Sequence, residues 1–500
     1  MNSVQLSDKI LIRILQFGGI VWLIGYFIIY QLFEGEQQFG YQLLLSKLAL
    51  LIGISVIIVW VIRQLPAFFQ EKGSPYNLAV FRIIFFGFFT IGFIFYWSKL
   101  MNTTMNFVDL PLDTRVSLPG MQWLINIIPV SKPIVQGAIV LFGLGSLFSF
   151  LGFKSRWSML VFVLAGLYIF GIPNLYGKIN HNHHIVWFAA LLAFSPCSDV
   201  LSIDARLTKQ KVLRPGKSYA RPFRFMWILM AIIYFFPGFW KAWSCGLDWA
   251  LTDNVRNQMY WKWYELGDWI PMIRIDQFPI LYKSMGLYTL AFELLFIVFI
   301  LKPKTRIYGF LAAILFHIGT HLFMNIFFVV LVISFASFIN WERLLFNRKK
   351  YAFPELASKR RVGLKWVGTG LIIINLVFGM GKIFSYPFSV YPTFDVLVEP
   401  YTETLSFRNF ESEEGLDKEV LRTQFTSERY RNMEHQIIMA FGNDALQDKT
   451  ALLETLSRTI ESDLNVPISI SIDKISVIPE NKNEVVSSKI IYSTDSGIVE

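Results

Sequence analysis

Apolar residues run in long unbroken stretches along most of the chain, each closed by short polar segments rich in Lys, Arg, Gly and Pro. A bilayer core of about 30 Å needs roughly 20 apolar residues per helix. On that measure the pattern predicts spans at 11–33, 44–63, 78–97, 133–152, 157–174, 184–202, 223–243, 285–301, 307–324, 326–342 and 364–384. After residue 385 the pattern changes. Ile468, Ile470 and Ile472 alternate with polar residues as a half-buried strand does, Ile490 and Tyr492 fall in a second strand-like run, and 427–463 has helical periodicity. The predicted fold is an all-α polytopic membrane bundle of about eleven transmembrane helices with a small C-terminal extramembrane α+β domain. The first stretch, from Leu11 to Phe33, is long enough to span and lacks a small-residue cleavage site, so it is expected to act as a signal anchor.

Composition agrees: 54% of residues are hydrophobic, only 16% are charged, and the 500 residues include 48 Phe. Charge divides the chain. Residues 1–385 hold 36 Lys and Arg against 16 Asp and Glu, whereas 386–500 hold 10 against 20. The positives lie between apolar spans and form no continuous basic face, which excludes nucleic acid as a partner. Alternate loops carry 24 and nine Lys and Arg respectively, and the positive-inside rule then places the N-terminus in the cytoplasm and the acidic tail outside. The run from Glu411 to Glu414 is expected to be a solvated loop. Cys197 and Cys245 are too few for a disulfide framework and are expected to be free thiols.

Ionisable groups within spans are costly and therefore informative. Arg82 and Lys382 lie near span ends and can extend their charges to the interface. Lys241 differs, because it lies 16 residues beyond Phe225 on a span entering from the basic side, about 24 Å across at 1.5 Å per residue. It follows Pro237 and Gly238 by one turn, and is expected to point inward as an unpaired base. His317 and His321 are spaced i, i+4, Glu293 is eight residues into its span, and His181, His183 and His184 open another. All project to the same leaflet, which favours an outward-facing polar cavity over simple interfacial anchoring. Histidines at this spacing also suit a metal, but neither an HExxH nor paired ExxH signature accompanies them, and no metal centre is expected. Trp240, Trp243, Trp249, Trp261, Trp263 and Trp269 crowd into thirty residues of a chain with 15 Trp, as an interfacial belt or as an aromatic lid over a pocket.

Several ordered segments carry a family resemblance: Asn182-His183 leading into LLAFSPCSDVLSID (191–204), IIYFFPGFWKAW (232–243), FELLF (292–296), FHIGTHLFMNIFF (316–328) and FINWERLL (338–345). Pro119 to Leu124 and the AVFRIIFFG context of Arg82 belong to the same set. Together they resemble the horizontally transferred transmembrane (HTTM), or vitamin K-dependent gamma-carboxylase-like, family in its bacterial branch, over about residues 75–350. With the apolar spans and the charge division, this divides the chain into an N-terminal transmembrane hairpin (1–74), the family core (75–350), a final transmembrane helix (351–385) and a soluble α+β domain expected on the periplasmic side (386–500), and the resemblance implies a bacterial inner membrane.

It also implies a chemistry. In the animal carboxylase a lysine in a YFxxGxKK segment deprotonates a reduced quinone, whose oxygenation yields a base able to remove a glutamate γ-proton before CO2 adds. The matching segment here runs from Tyr234 to Lys241, with Trp240 in place of the first lysine. Lys241 is thereby the expected base, with His183 and His317 as further catalytic candidates. Glu293, His321, Trp240 and Trp243 are expected to line the site of a vitamin K-like quinone. The expected partners are membrane lipid, quinone and a periplasmic peptide or protein. The alternative is a non-catalytic component of an envelope or transport assembly that uses its external domain for docking. A transporter would call for an inverted repeat or paired broken helices, and neither is seen.

Overall fold

The computed structural model describes residues 2–95, 108, 121–176, 182–208, 215–266, 269–346, 363–391, 394–409, 415, 453–454, 457, 467–493 and 497–498. The main helices are α1 (Asn2–Leu32), α2 (Gly35–Gln70), α3 (Pro75–Phe95), α4 (Lys132–Leu151), α5 (Ser155–Gly171), α6 (His183–Ala193), α7 (Lys217–Cys245), α8 (Asn254–Glu265), α9 (Pro279–Leu301), α10 (Arg306–Met324), α11 (Val329–Ser334) and α12 (Gly363–Met380).

Among the described residues nine helices are long and apolar enough to cross a membrane, which does not reach the expected eleven. The two shortfalls have local causes. The 184–202 segment is helical only to Ala193, because Pro196 cannot continue the ladder and Ser195 turns its hydroxyl onto Leu192 O (2.8 Å). In 326–342 the chain leaves α10 through Asn325 in the left-handed conformation (φ 50°), and the helical turns that follow cover only Val329–Phe338. Both segments nevertheless return the chain to the bundle end from which α5 and α10 set out. Arg82 on α3 donates to Leu201 O (2.6 Å) and Ser198 Oγ (3.2 Å), and Asp204 N donates to Gly152 O (3.0 Å). Trp227 on α7 donates to Ser337 Oγ (2.8 Å), and Glu342 N to Asn77 Oδ1 (2.7 Å).

This basic end is drawn together by Glu71, which accepts from Arg224 (2.5 Å) and Arg306 (3.0 Å), both guanidinium groups lying over the Trp227 ring. Arg82 does not extend to the interface as expected. It is fully buried and ties the 198–201 turn to α3.

Helix α7 is the axis of the bundle, with most of its length enclosed by α2, α9 and α12, whereas none of the apolar window of α1 is buried. Aromatic side chains fill much of the interior; Phe142 and Phe162 stack at 4.2 Å between α4 and α5. Gly145 permits that approach, since a Cβ there would lie 2.9 Å from Phe162 N. Cys197 and Cys245 are both free and buried.

Beyond α12 the described residues 383–391 and 394–400 form a strap over the bundle end opposite the Glu71 cluster and lead into a four-stranded antiparallel sheet, β1 (Tyr401–Asn409), β2 (Ile468–Ser476), β3 (Val485–Ser493) and β4 (Gly497–Ile498), in that order. Phe407 pairs with Ile470 and Leu405 with Ile472; the expected alternation falls within β2 and holds for Ile468 and Ile470, but Ser471 is buried in place of Ile472. On β3 the inward phase is Ile491, fully buried, while Ile490 is 53% exposed. A register irregularity near Ile470 and Ser471 accompanies this change of phase. Of the expected helix at 427–463 only Leu453, Glu454 and Ser457 are described, all helical, and the run from Glu411 to Glu414 lies outside the described residues.

The sheet docks on the bundle end opposite the Glu71 cluster. Val477 packs with Met259, Tyr260, Trp263 and Tyr282, and Glu480 pairs with Arg274 at 2.9 Å.

Candidate functional site

Lys241 sits four residues from the C-terminal end of α7 and is 4% exposed. It is not the unpaired amine expected from its span. Its Nζ contacts both carboxylate oxygens of Glu293 on α9, at 2.7 and 2.8 Å, and Glu293 is equally buried. The pairing follows from close helix packing at Gly238, three residues earlier on the same face, where the Cβ of any other residue would lie 2.7 Å from Glu293 Cβ. The Trp249 ring lies 4.8 Å from Lys241 Nζ. Two buried opposite charges in a bidentate contact satisfy each other, whereas either alone would be expensive there.

Two turns before Lys241, Tyr234 presents its hydroxyl to His317 Nε2 on α10 at 2.7 Å. Phe292 and Phe296 flank the Tyr234 ring at 4.8 and 5.0 Å, and Phe316 packs against both Phe292 and His317. His317 is 3% exposed, and its Nδ1 is buried without a hydrogen-bond partner among the described residues. Tyr234 is within electrostatic range of Glu293 and of Tyr391, which places the two polar pairs and the segment after α12 in one neighbourhood.

From the other side, His184 Nδ1 meets the Tyr391 hydroxyl at 2.9 Å. His183 is buried between the rings of Tyr386 (5.2 Å), Trp187 and Tyr391 (both 6.2 Å). His181 lies outside the described residues. His321 shares a helix face with His317 but sits a turn further out, exposed, with its ring against Phe327. Trp240 and Trp243 are half-buried on other faces of α7. Trp240 donates to Gly379 O (2.9 Å), and the Trp243 ring lies under Lys47 at 5.2 Å.

The crowded tryptophans have a common use that spacing alone did not reveal. Trp240, Trp249 and Trp261 each donate an indole N–H to a backbone carbonyl of the chain from the end of α12 onward, at Gly379, Phe394 and Glu399 (2.9, 2.7 and 2.8 Å). Asn257 donates its side-chain amide to Val398 O (2.9 Å), Asn254 Oδ1 accepts from Val398 N (2.9 Å), and Asp395 is fixed by Lys382 (2.6 Å) and Ser244 (3.1 Å). The described residues of the strap, 383–391 and 394–400, are thereby pinned across the end of the bundle above Lys241.

Sequence reasoning missed Tyr386 and Tyr391, gave Tyr234 no role beyond opening the matched segment, and named Trp249 only as one of the crowded tryptophans. Tyr234 carried a usable signal, lying seven residues before Lys241 and therefore on the same helix face. Tyr386 and Tyr391 carried none, because they reach the site through the path of an irregular strap.

The model of the HTTM domain matches residues 71–341, more than half of the chain. The chain belongs to the HTTM domain family. The match begins at Glu71, the residue that gathers the basic end, and ends at Trp341, so it contains Lys241, Glu293, Tyr234, His317 and His183. The two N-terminal helices, α12, the strap and the sheet lie almost wholly outside it, and Tyr386 and Tyr391 are therefore additions to the matched HTTM segment that close over its polar centre. No curated protein and no solved structure matches the chain. Among the described residues no group of three or more His, Cys, Asp or Glu side chains is placed to hold a metal ion.

Proposed function

We propose that this HTTM protein is a membrane enzyme whose acid–base centre is the Lys241–Glu293 pair, on the outward side of a bacterial inner membrane. The observation carrying this reading is the buried bidentate contact itself. Moving one proton from Nζ to a Glu293 oxygen 2.7 Å away converts two buried charges into two neutral groups. A low-dielectric surrounding lessens the cost of that transfer. Lys241 then holds a free amine able to take a proton from an acidic hydroxyl placed against it. Glu293 keeps the first proton meanwhile, and the pair regains its resting charges when that proton is released to product or to water.

The residues fit a reduced quinone of the kind the family resemblance implies. His317 Nδ1 is a buried polar atom in need of a partner, and Phe292, Phe296 and Phe316 offer aromatic faces to a flat ring. His317 Nδ1 would hold its oxygen, with Tyr234 fixing the imidazole through Nε2. When bound, such a cofactor supplies the reducing equivalents for an oxygenation that generates a strong base. Orientation rests on the loop-charge asymmetry, which also supports eleven crossings if the two short segments, 183–202 and 326–342, are counted as traversing. The N-terminus is then cytoplasmic, and the sheet is periplasmic.

The test is oxygen uptake and quinone-epoxide formation by the purified protein in nanodiscs supplied with a reduced naphthoquinone, wild type against Lys241→Arg. Turnover lost in the Arg variant supports the base role, because guanidinium stays protonated. Equal turnover in the two proteins sinks it.

A second reading, a docking component without catalysis, is favoured by one observation. Val485, Val486 and Ile490 on β3 are 48, 55 and 53% exposed, an apolar set suited to a periplasmic peptide or protein. Absence of any quinol-dependent turnover in the wild type would move the weight to this reading.

A further inference from the structure

A cavity of about 430 Å³ opens at the basic end of the bundle, beside the first turn of α5 and far from the Lys241 site. Its floor is apolar, formed by Met159, Leu192 and Cys197, and Lys154 and Arg156 stand at its rim. The carboxylates in its wall are already engaged. Asp204 accepts from Lys154 N (2.8 Å), Ser155 N (2.9 Å) and the Ser155 hydroxyl, capping α5, and Asp199 accepts from Tyr219 (2.9 Å). Behind the wall Arg82 is fully buried, bonded to the neutral oxygens of Ser198 and Leu201, with its Nε unpartnered among the described residues.

Among the described residues that line the cavity or stand behind its wall, the charges are three cations, Arg82, Lys154 and Arg156, against two carboxylates, Asp199 and Asp204. The two rim cations are in no ion pair among the described residues; each lies over a phenylalanine ring, Lys154 over Phe153 at 5.8 Å and Arg156 over Phe194 at 5.0 Å. One monoanion with several acceptor oxygens would balance the excess and use the free donors. The setting selects its source. The cavity lies at the start of a membrane-length apolar helix, next to Trp157, which is 71% exposed, as an indole at a headgroup boundary is.

We propose that this cavity binds the phosphodiester of a membrane phospholipid headgroup, with Lys154 and Arg156 as its ligands. The site is independent of the acid–base centre, and its test does not involve turnover. The protein is purified in a phosphate-free, non-ionic detergent, and retained phospholipid is counted by native mass spectrometry for the wild type, for the Lys154→Gln/Arg156→Gln double variant and for Lys365→Gln. Lys365 is an exposed cation on α12 that does not line the cavity. Retention of one phospholipid by the wild type and by Lys365→Gln, reduced roughly tenfold or more in the double variant, is the expected result, since both charge-assisted hydrogen-bond donors to the phosphodiester are removed. Equal retention by all three proteins, or equal loss in Lys365→Gln, overturns it. Displacement of the lipid by added inorganic phosphate would assign the cavity to free phosphate and overturn it as well.

Discussion

Gly238 lies directly against Glu293, so close that any side chain at this point of α7 would meet the glutamate Cβ at 2.7 Å and Leu294 N at 3.3 Å. The helix separation that lets Lys241 reach both oxygens of Glu293 is thus set one turn away by the absence of a Cβ. Gly238→Ala should destabilise the protein by about 1–3 kcal/mol through overpacking. It should also abolish any Lys241-dependent activity, because α7 and α9 move apart. A variant with unchanged melting temperature in detergent would show that the two helices can separate without cost, and that the glycine does not hold the pair.

The pair makes a prediction opposite to that for an isolated lysine. Lys241→Met leaves Glu293 buried without its cation and should cost about 3–5 kcal/mol, whereas replacing both residues with Met should recover most of that loss. Activity should stay absent in both. A single Met variant as stable as the wild type would mean that Glu293 is already neutral, and the two melting curves decide between these states.

Most of the fold was legible because apolar runs of membrane length and loop charge are read directly from the chain. The two segments that fell short, 184–202 and 326–342, failed for the same reason: hydropathy counts apolar residues and is blind to where Pro196 and Asn325 end a helix. The site was half legible. Lys241, Glu293 and His317 stood out as ionisable groups in apolar surroundings, but their partners depend on which helix faces meet. The i, i+4 spacing joined His317 to His321, yet one turn of helix carries the second from the packed interior to the exposed rim. The clustered tryptophans gave away an aromatic-rich end without revealing that their N–H groups pin the strap, since the acceptors are backbone carbonyls more than a hundred residues away.

Sidedness can be checked with minimal background, because Cys197 and Cys245 are 2 and 5% exposed. A cysteine at Ser487, exposed on β3, should react with a membrane-impermeant maleimide added to intact cells from the periplasmic side. One at Lys304, exposed between α9 and α10, should react only after the membrane is opened. The reverse pattern would move the Lys241 site to the cytoplasmic side and end the proposal of an outward-facing enzyme.

The strap should loosen one hydrogen bond at a time. Trp249→Phe keeps a ring near Lys241 but loses the N–H to Phe394 O, and Trp261→Phe loses that to Glu399 O. Each change should lower the local stability of 394–400 by about 1 kcal/mol, read as faster amide hydrogen exchange in that segment alone. Exchange that rises equally throughout α7 and α9 would mean that these indoles support the bundle rather than the strap.

Acid should release the sheet only at low pH. Asp276, just before α9, is 3% exposed and accepts from Tyr260 (3.0 Å) and from two nitrogens of Arg274 (2.9 and 2.8 Å), and Arg274 also reaches Glu480 beside the sheet. Burial raises the carboxyl of Asp276, but the hydrogen bonds from Arg274 and Tyr260 outweigh it and hold the group below the usual carboxylate range. A depressed value in the folded state contributes stability that is present above the unfolded value, near ~3.9, and is lost as pH falls through the folded one. Docking should therefore be constant from neutral pH down to about pH 5 and weaken only below about pH 4. Trp263 is a convenient reporter, since it is buried in the same cluster with its ring 5.4 Å from the Arg274 guanidinium. Asp276→Asn should weaken docking at neutral pH by about 1.5–3 kcal/mol and remove this part of the acid dependence. Release of the sheet between pH 5.5 and 6.5, with Asp276 still ionised, would assign the interface to a different titrating group.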